Sequence, residues 1–96
     1  MVLRQVTYPL LPGKDLRGWL RKTAKPALNK VKGCRAVYLW YDKANNEGGA
    51  TFVFENRTAL RAYKASETYK ALVADLQGGW IDASRAVTEK IYDVVA

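Results

Sequence analysis

Residues 34–55 read CRAVYLWYDKANNEGGATFVFE, and this stretch decides the fold. From Cys34 to Asp42 the side chains alternate, with Ala36, Tyr38 and Trp40 on one side and Val37, Leu39 and Tyr41 on the other. A run of β-branched, aromatic and aliphatic residues with this period is a strand. Apolar character on both sides predicts that both faces are covered. Lys43 to Gly49 is polar and rich in Asn and Gly, and reads as a turn. Ala50 to Glu55 is the next strand, with Phe52 and Phe54 opposite Val53. Two such strands joined by a short polar turn form an antiparallel hairpin.

Working outward, Leu16, Trp19, Leu20, Thr23, Ala24, Ala27, Leu28 and Val31 fall on one helical stripe. Pro26 lacks an N–H and predicts a kink or a lost hydrogen bond in that helix. Gly33 is the expected C-terminal cap. Before the helix, Val2 to Tyr8 is a strand ended by Pro9, Pro12 and Gly13. After the hairpin, Thr58 is the expected N-cap of a helix carrying Ala59, Leu60, Ala62 and Tyr63. The stripe loses phase near Ser66 and restarts as Tyr69, Leu72, Val73 and Leu76, which predicts a second piece capped by Ser66 and ended by Gly78 and Gly79. Residues 85–95 alternate again as a last strand.

The order is therefore β-α-β-β-α-β. It predicts a single ferredoxin-like α+β domain over residues 1–96, a four-stranded antiparallel sheet with helices on one face. Helices for one face leave the other uncovered, and a face-to-face homodimer would cover it.

Composition narrows the chemistry. The chain is 49 % hydrophobic, enough for a packed core rather than disorder. It contains no histidine, which removes Ser-His-Asp and Cys-His catalysis, proximal-His haem ligation and most catalytic zinc sites. The one cysteine, Cys34, cannot form an intrachain disulfide or a CxxC motif, as expected in a reducing cytosol, and reads as a small buried apolar residue. No apolar run reaches the roughly 18 residues of a membrane span, and no signal-peptide pattern opens the chain, so a cytoplasmic protein is expected. Nothing resembles a P-loop, and neither Asp42 nor Asp93 has a carboxylate partner at acid–base spacing.

A resemblance emerges from several motifs taken together. Val31-Lys-Gly33, Tyr38-Leu-Trp40, Glu47-Gly48-Gly49-Ala-Thr-Phe-Val-Phe54, Ala59-Leu60-Arg61-Ala62-Tyr63 and Glu89-Lys90-Ile91-Tyr92-Asp93-Val94 follow one another over residues 31–95. In order and spacing they resemble the dimeric α+β-barrel proteins of the antibiotic-biosynthesis-monooxygenase superfamily, and within it the YdhR-like proteins. The resemblance implies a homodimer with facing sheets and a small-molecule pocket between sheet and helices in each subunit. It also implies, in some members, oxygenation of aromatic polyketides with neither metal nor flavin, so no cofactor is expected. The haem-degrading, stress-protein and cyclase relatives use a pocket histidine that this chain lacks.

Cofactor-free oxygenation needs an electron-rich substrate that can ionise, a dry pocket and a nearby base or hydrogen-bond donor. Candidate substrate-binding residues are Tyr38, Trp40, Tyr63, Tyr69 and Trp80 for stacking and polar tips, Gln5 with Thr7 for a phenol or quinone oxygen, and Arg85 for an enolate or phenolate. Core packing is the competing reading for each aromatic. For Gln5 and Thr7 it is the dimer seam, and for Arg85 a solvated charge or interface ion pair.

RNA binding is the competing class, because a basic β-α-β-β-α-β domain is also the layout of the RNA-recognition motif. The third strand argues against it. Aligning Phe52-Val53 with the motif places Gly48 at its basic position, Ala50 at its first aromatic and Glu55 at its last, so three key positions fail. Residues 1–36 hold nine basic residues against Asp15, whereas residues 37–96 hold seven basic and eight acidic. The basic excess thus sits around the first helix, where Arg17, Arg21, Lys22 and Lys25 lie off the apolar stripe as a solvent-facing cluster. Such a cluster keeps a dimer soluble, or else binds an anion.

Overall fold

The computed structural model describes all 96 residues. The hairpin forms β2 (Cys34–Asp42) and β3 (Glu47–Phe54), preceded by β1 (Val2–Pro9) and followed by β4 (Thr88–Asp93). The sheet order is β2-β3-β1-β4 with every neighbouring pair antiparallel, which is the ferredoxin-like arrangement. The helices are α1 (residues 17–28), α2 (Arg57–Lys64) and α3 (Glu67–Gln77), all on one face.

Alternation assigns each strand residue to a face. Val2, Arg4, Val6 and Tyr8 of β1 point toward the helices, level with Phe54, Phe52, Ala50 and Gly48 of β3. Val37, Leu39 and Tyr41 of β2 join them. Leu16, Leu20, Ala24 and Leu28 of α1, with Leu60 and Tyr63 of α2 and Leu72 and Leu76 of α3, close the core from above. The expectation that both faces are covered does not hold within one chain. On the open face Tyr38 is 67 % exposed and Tyr92 49 % exposed.

α1 shows how local sequence sets geometry. Its buried residues repeat every four positions, whereas a regular helix of 3.6 residues per turn drifts by about 40° at each such step. Residues Leu20–Ala24 form a π turn, closed by Lys25 N–H donating to the Leu20 carbonyl. The wider turn cancels the drift and keeps Leu16, Leu20, Ala24 and Leu28 in one line. It directly precedes Pro26, whose ring would clash with the carbonyl four residues back in a regular helix. The proline effect thus takes the form of a π turn rather than a kink.

Several boundaries differ from expectation. α1 ends at Leu28, so Gly33 does not cap it; with φ of +81° it makes the turn into β2 and packs against Ala59. β3 begins at Glu47, taking Gly48 and Gly49 out of the turn and into the strand. A Cβ on Gly49 would collide with the Val6 carbonyl and the Trp40 indole, and one on Gly48 with Leu16, so close packing requires both glycines. Asn56, not Thr58, caps α2 by accepting the Ala59 N–H at 2.8 Å. Ser66 caps α3, as expected, accepting the Tyr69 N–H at 3.2 Å. The last strand is shorter than 85–95 and exposed at every position.

Candidate functional site

The interior between sheet and helices holds a small apolar cavity of about 30 Å³, walled by Tyr8, Trp19, Phe52, Tyr63, Tyr69 and aliphatic residues of α1 and α3. That is room for a water molecule, whereas bound small molecules occupy hundreds of cubic ångströms. A ligand must therefore displace wall residues. Trp19 is a half-buried wall residue, and its indole N–H donates to Asp75 of α3 at 3.2 Å, tying α1 to α3 beside the cavity.

Beneath the aromatic wall lies a buried charge. Arg4, at the centre of β1, is only 2 % exposed. Its guanidinium sits 5.2 Å from the Phe52 ring centre and 5.8 Å from that of Tyr69, a cation over two aromatic faces. Its Nε donates to Glu89 of β4 at 2.6 Å, and Lys64, at the end of α2, donates to the other Glu89 oxygen at 2.9 Å. Two cations thus share one carboxylate. Phe52, Phe54, Tyr63 and Tyr69 extend the aromatic cluster, with ring centres 5.3 to 5.7 Å apart.

Burial sets the protonation of this site. It pushes the Tyr8 phenol up, against the pull of the Arg4 charge, and raises the Tyr63 phenol well above its ordinary value. Both stay neutral near pH 7 and can donate a hydrogen bond, but neither is a base there. Partial burial also works to raise the Glu89 carboxyl. Hydrogen bonds from Lys64 and Arg4 outweigh it and hold the group below the usual carboxylate range. Burial raises the Cys34 thiol, away from reactive thiolate character.

The sequence candidates separate into three places. Tyr63 and Tyr69 line the cavity. Gln5, Thr7, Tyr38 and Trp40 have the opposite parity and lie on the open face, with Trp40 across Gly49. Trp80 is half-buried in the segment after α3, beneath the Lys14 ammonium, and Arg85 reaches Asn45 and Glu47 beside the hairpin turn. Gln5, Tyr38, Trp40, Trp80 and Arg85 therefore do not converge on the cavity. Arg4, Tyr8, Trp19 and Glu89 were not singled out as site residues. Parity was the available signal for two of them: Arg4 interrupts the inward series Val2-x-Arg4-x-Val6, and Glu89 shares its side of the last strand with Ile91.

No family model matches the sequence, and no curated protein does. Among solved structures, a protein of unknown function from Nitrosomonas europaea superposes with a TM-score of 0.80 at 18 % identity, over 99 % of this chain and 89 % of that one. Rv0793 from Mycobacterium tuberculosis gives a TM-score of 0.76 at 20 % identity, over 99 % and 95 %. An antibiotic biosynthesis monooxygenase gives 0.77 at 16 % identity, with both chains covered completely. The chain shares the fold of these proteins. At these identities the likeness concerns architecture, and the site must be argued from this chain's own residues.

Proposed function

We propose that this protein is a YdhR-like, cytoplasmic homodimer whose interior cavity takes a flat aromatic or quinone-type molecule and oxygenates it with neither metal nor flavin. The observation that carries this reading is the aromatic cavity set over a buried cation. Tyr8, Phe52, Tyr63 and Tyr69 offer stacking surface and neutral phenol donors, and the Arg4 charge favours an anionic phenolate or enolate nearby. The fold shared with an antibiotic biosynthesis monooxygenase supports the assignment. The single cysteine supports the cytoplasmic location. The homodimer is supported by the open sheet face, where Leu3, Ala36, Trp40 and Val53 accompany the exposed Tyr38 and Tyr92.

In the proposed reaction the ionised substrate passes an electron to dioxygen, and the resulting radical pair combines at carbon. For an anthrone-type methylene, the carbon loses two hydrogens and gains one oxygen as a carbonyl, while the second oxygen leaves as water. Entry requires the Trp19 indole to leave Asp75. No carboxylate or other base lines the cavity, so the substrate must ionise readily without one. That same feature favours a second reading, a binder of aromatic molecules that does not turn them over.

One experiment separates the readings. Purified protein is mixed with anthrone or a hydroquinone under air, with thermal unfolding and oxygen uptake followed together. Stabilisation with uptake above a heat-denatured control supports oxygenation, and stabilisation alone supports binding. With neither, the cavity reading falls.

A further inference from the structure

Trp19 differs from the other aromatic residues of the cavity wall in how it is held. The four ring pairs of the core join Phe52, Phe54, Tyr63 and Tyr69 and leave Trp19 out. The Arg4 guanidinium lies over Phe52 and Tyr69 and fixes those two rings further. Tyr8 is carried by β1, an inner strand of the sheet. The indole has one polar tie, to Asp75 at 3.2 Å. Asp75 is exposed, and no ion pair engages it. Leu16 and Leu20, buried on either side, anchor the backbone of this turn, so the ring can leave by rotation about its own side-chain torsions. Gly18 leaves room beside it, for even a Cβ there would meet nothing within 4 Å. The helices cover the face opposite the open one, so a second copy packed on the open face leaves this mouth clear.

We infer that Trp19 is a displaceable plug whose shape and hydrogen bond the ligand copies. A fused two-ring aromatic molecule with an N–H or O–H donor at its edge turns the indole out, takes its place in the wall and donates to Asp75. This rests on the cavity reading proposed above and gives it a ligand class. The cavity as it stands, about 30 Å³, is too small for any ring, whereas an apolar void of about 150 Å³ takes a benzene. The space vacated by the indole fits two fused rings by construction, and the adjoining cavity adds room for one small substituent. Leu72, Val73 and Leu76 of α3 line that space and offer no side-chain hydrogen-bond partner. Asp75, on the same helix, is left without its indole donor, and so favours a ligand that restores the bond over one of equal shape that cannot.

The probes are indole and indene, which share the two-ring shape and differ in the N–H. The native protein, its three tryptophans replaced by 5-fluorotryptophan, is titrated with each, and Trp19→Phe assigns the Trp19 fluorine signal. The inference predicts that indole moves that signal to its solvent-exposed position and leaves those of Trp40 and Trp80 in place. It also predicts that indole binds about fivefold more tightly than indene. Asp75→Ala, a change at an exposed position, should cancel that preference and bind indene more tightly than the native protein does, because nothing then latches the plug. Trp19→Ala should bind indole about tenfold more tightly or better, since no ring has to be displaced. Should Trp19→Ala not fold, the fluorine signal and Asp75→Ala decide the question alone. Binding of indole with the Trp19 signal unmoved, equal affinity for the two probes, or binding by Trp19→Ala but not by the native protein would each overturn the inference and leave the cavity reading standing. Binding of neither probe to the native protein or to either variant would remove both.

Discussion

The two faces of the sheet are built from the same strands by the same alternation, yet they have opposite fates. The face toward the helices holds Val2, Val6, Phe52 and Phe54, all nearly inaccessible, and buries Arg4 among them. The other holds Tyr38, Trp40, Val53 and Tyr92 together with Gln5, Thr7, Thr51 and Lys90, and is open. Apolar alternation shows that a face can be covered; it does not show what covers it, or whether the cover comes from the same chain. The only charged residue buried in the core is the clearest difference. A charge is kept on the closed face because Glu89 and two aromatic rings accompany it, and that arrangement can be broken.

The largest effect is expected from Glu89→Ala, which leaves the Arg4 guanidinium buried without its carboxylate. Breaking such a pair costs about 3 kcal/mol, toward the low end of the usual range because Glu89 lies partly at the surface. Chemical denaturation of the variant should show this loss. The double substitution Arg4→Met with Glu89→Met should recover most of it, since both charges then leave together. A double variant as unstable as the single one would mean that the ring contacts, not the ion pair, hold Arg4.

A smaller effect follows from pH. The Glu89 carboxyl is held below its ordinary value in the folded chain, so its contribution is present above the unfolded value of about 4.3 and lost as pH falls through the folded value. Stability should therefore decline below about pH 4.5, and the Arg4→Met, Glu89→Met double variant should show a shallower decline. Parallel acid profiles for the two proteins would assign the decline to other carboxylates, of which Asp15, lowered to about 2 by its hydrogen bonds with Arg17, is the first candidate.

The same contrast explains what the sequence made legible. Cys34–Asp42 was readable to the residue because its centre, Ala36–Tyr41, is an unbroken apolar and aromatic run whose sides alternate; the bulge between Cys34 and Ala36, which shifts the register against β3, leaves no mark in the sequence. The ends of other elements were not, because they depend on contacts distant in sequence. Gly48 and Gly49 look like turn residues until Leu16, Val6 and Trp40 are placed against them. Asn56 takes the cap from Thr58 because α2 begins as soon as the chain leaves β3. In the site, Tyr63 and Tyr69 could be picked as aromatics. Gln5, Tyr38 and Trp40 were assigned to the same pocket although their parity places them on the other face. Arg4 enters the sequence reading only through the basic excess of residues 1–36; arginine is usually exposed, and only its inward position on β1 outweighs that rule.

The smallest folding effect, and the sharpest test of the open face, is expected from Tyr38→Ser. A side chain 67 % exposed in one chain contributes within about 0.5 kcal/mol to that chain's own stability. In the proposed homodimer the same ring lies at the subunit seam, where its loss weakens association rather than folding. The two contributions separate by concentration, since only association makes the melting temperature depend on it. The native protein should melt higher as its concentration rises. Tyr38→Ser should flatten that dependence while matching the native melting temperature at the dilute end. A native melting temperature independent of concentration, together with one-subunit mass in light scattering, would remove the second copy as the cover. The aromatic residues of that face would then need another explanation, because a monomer gains nothing from holding Tyr38 and Tyr92 in water.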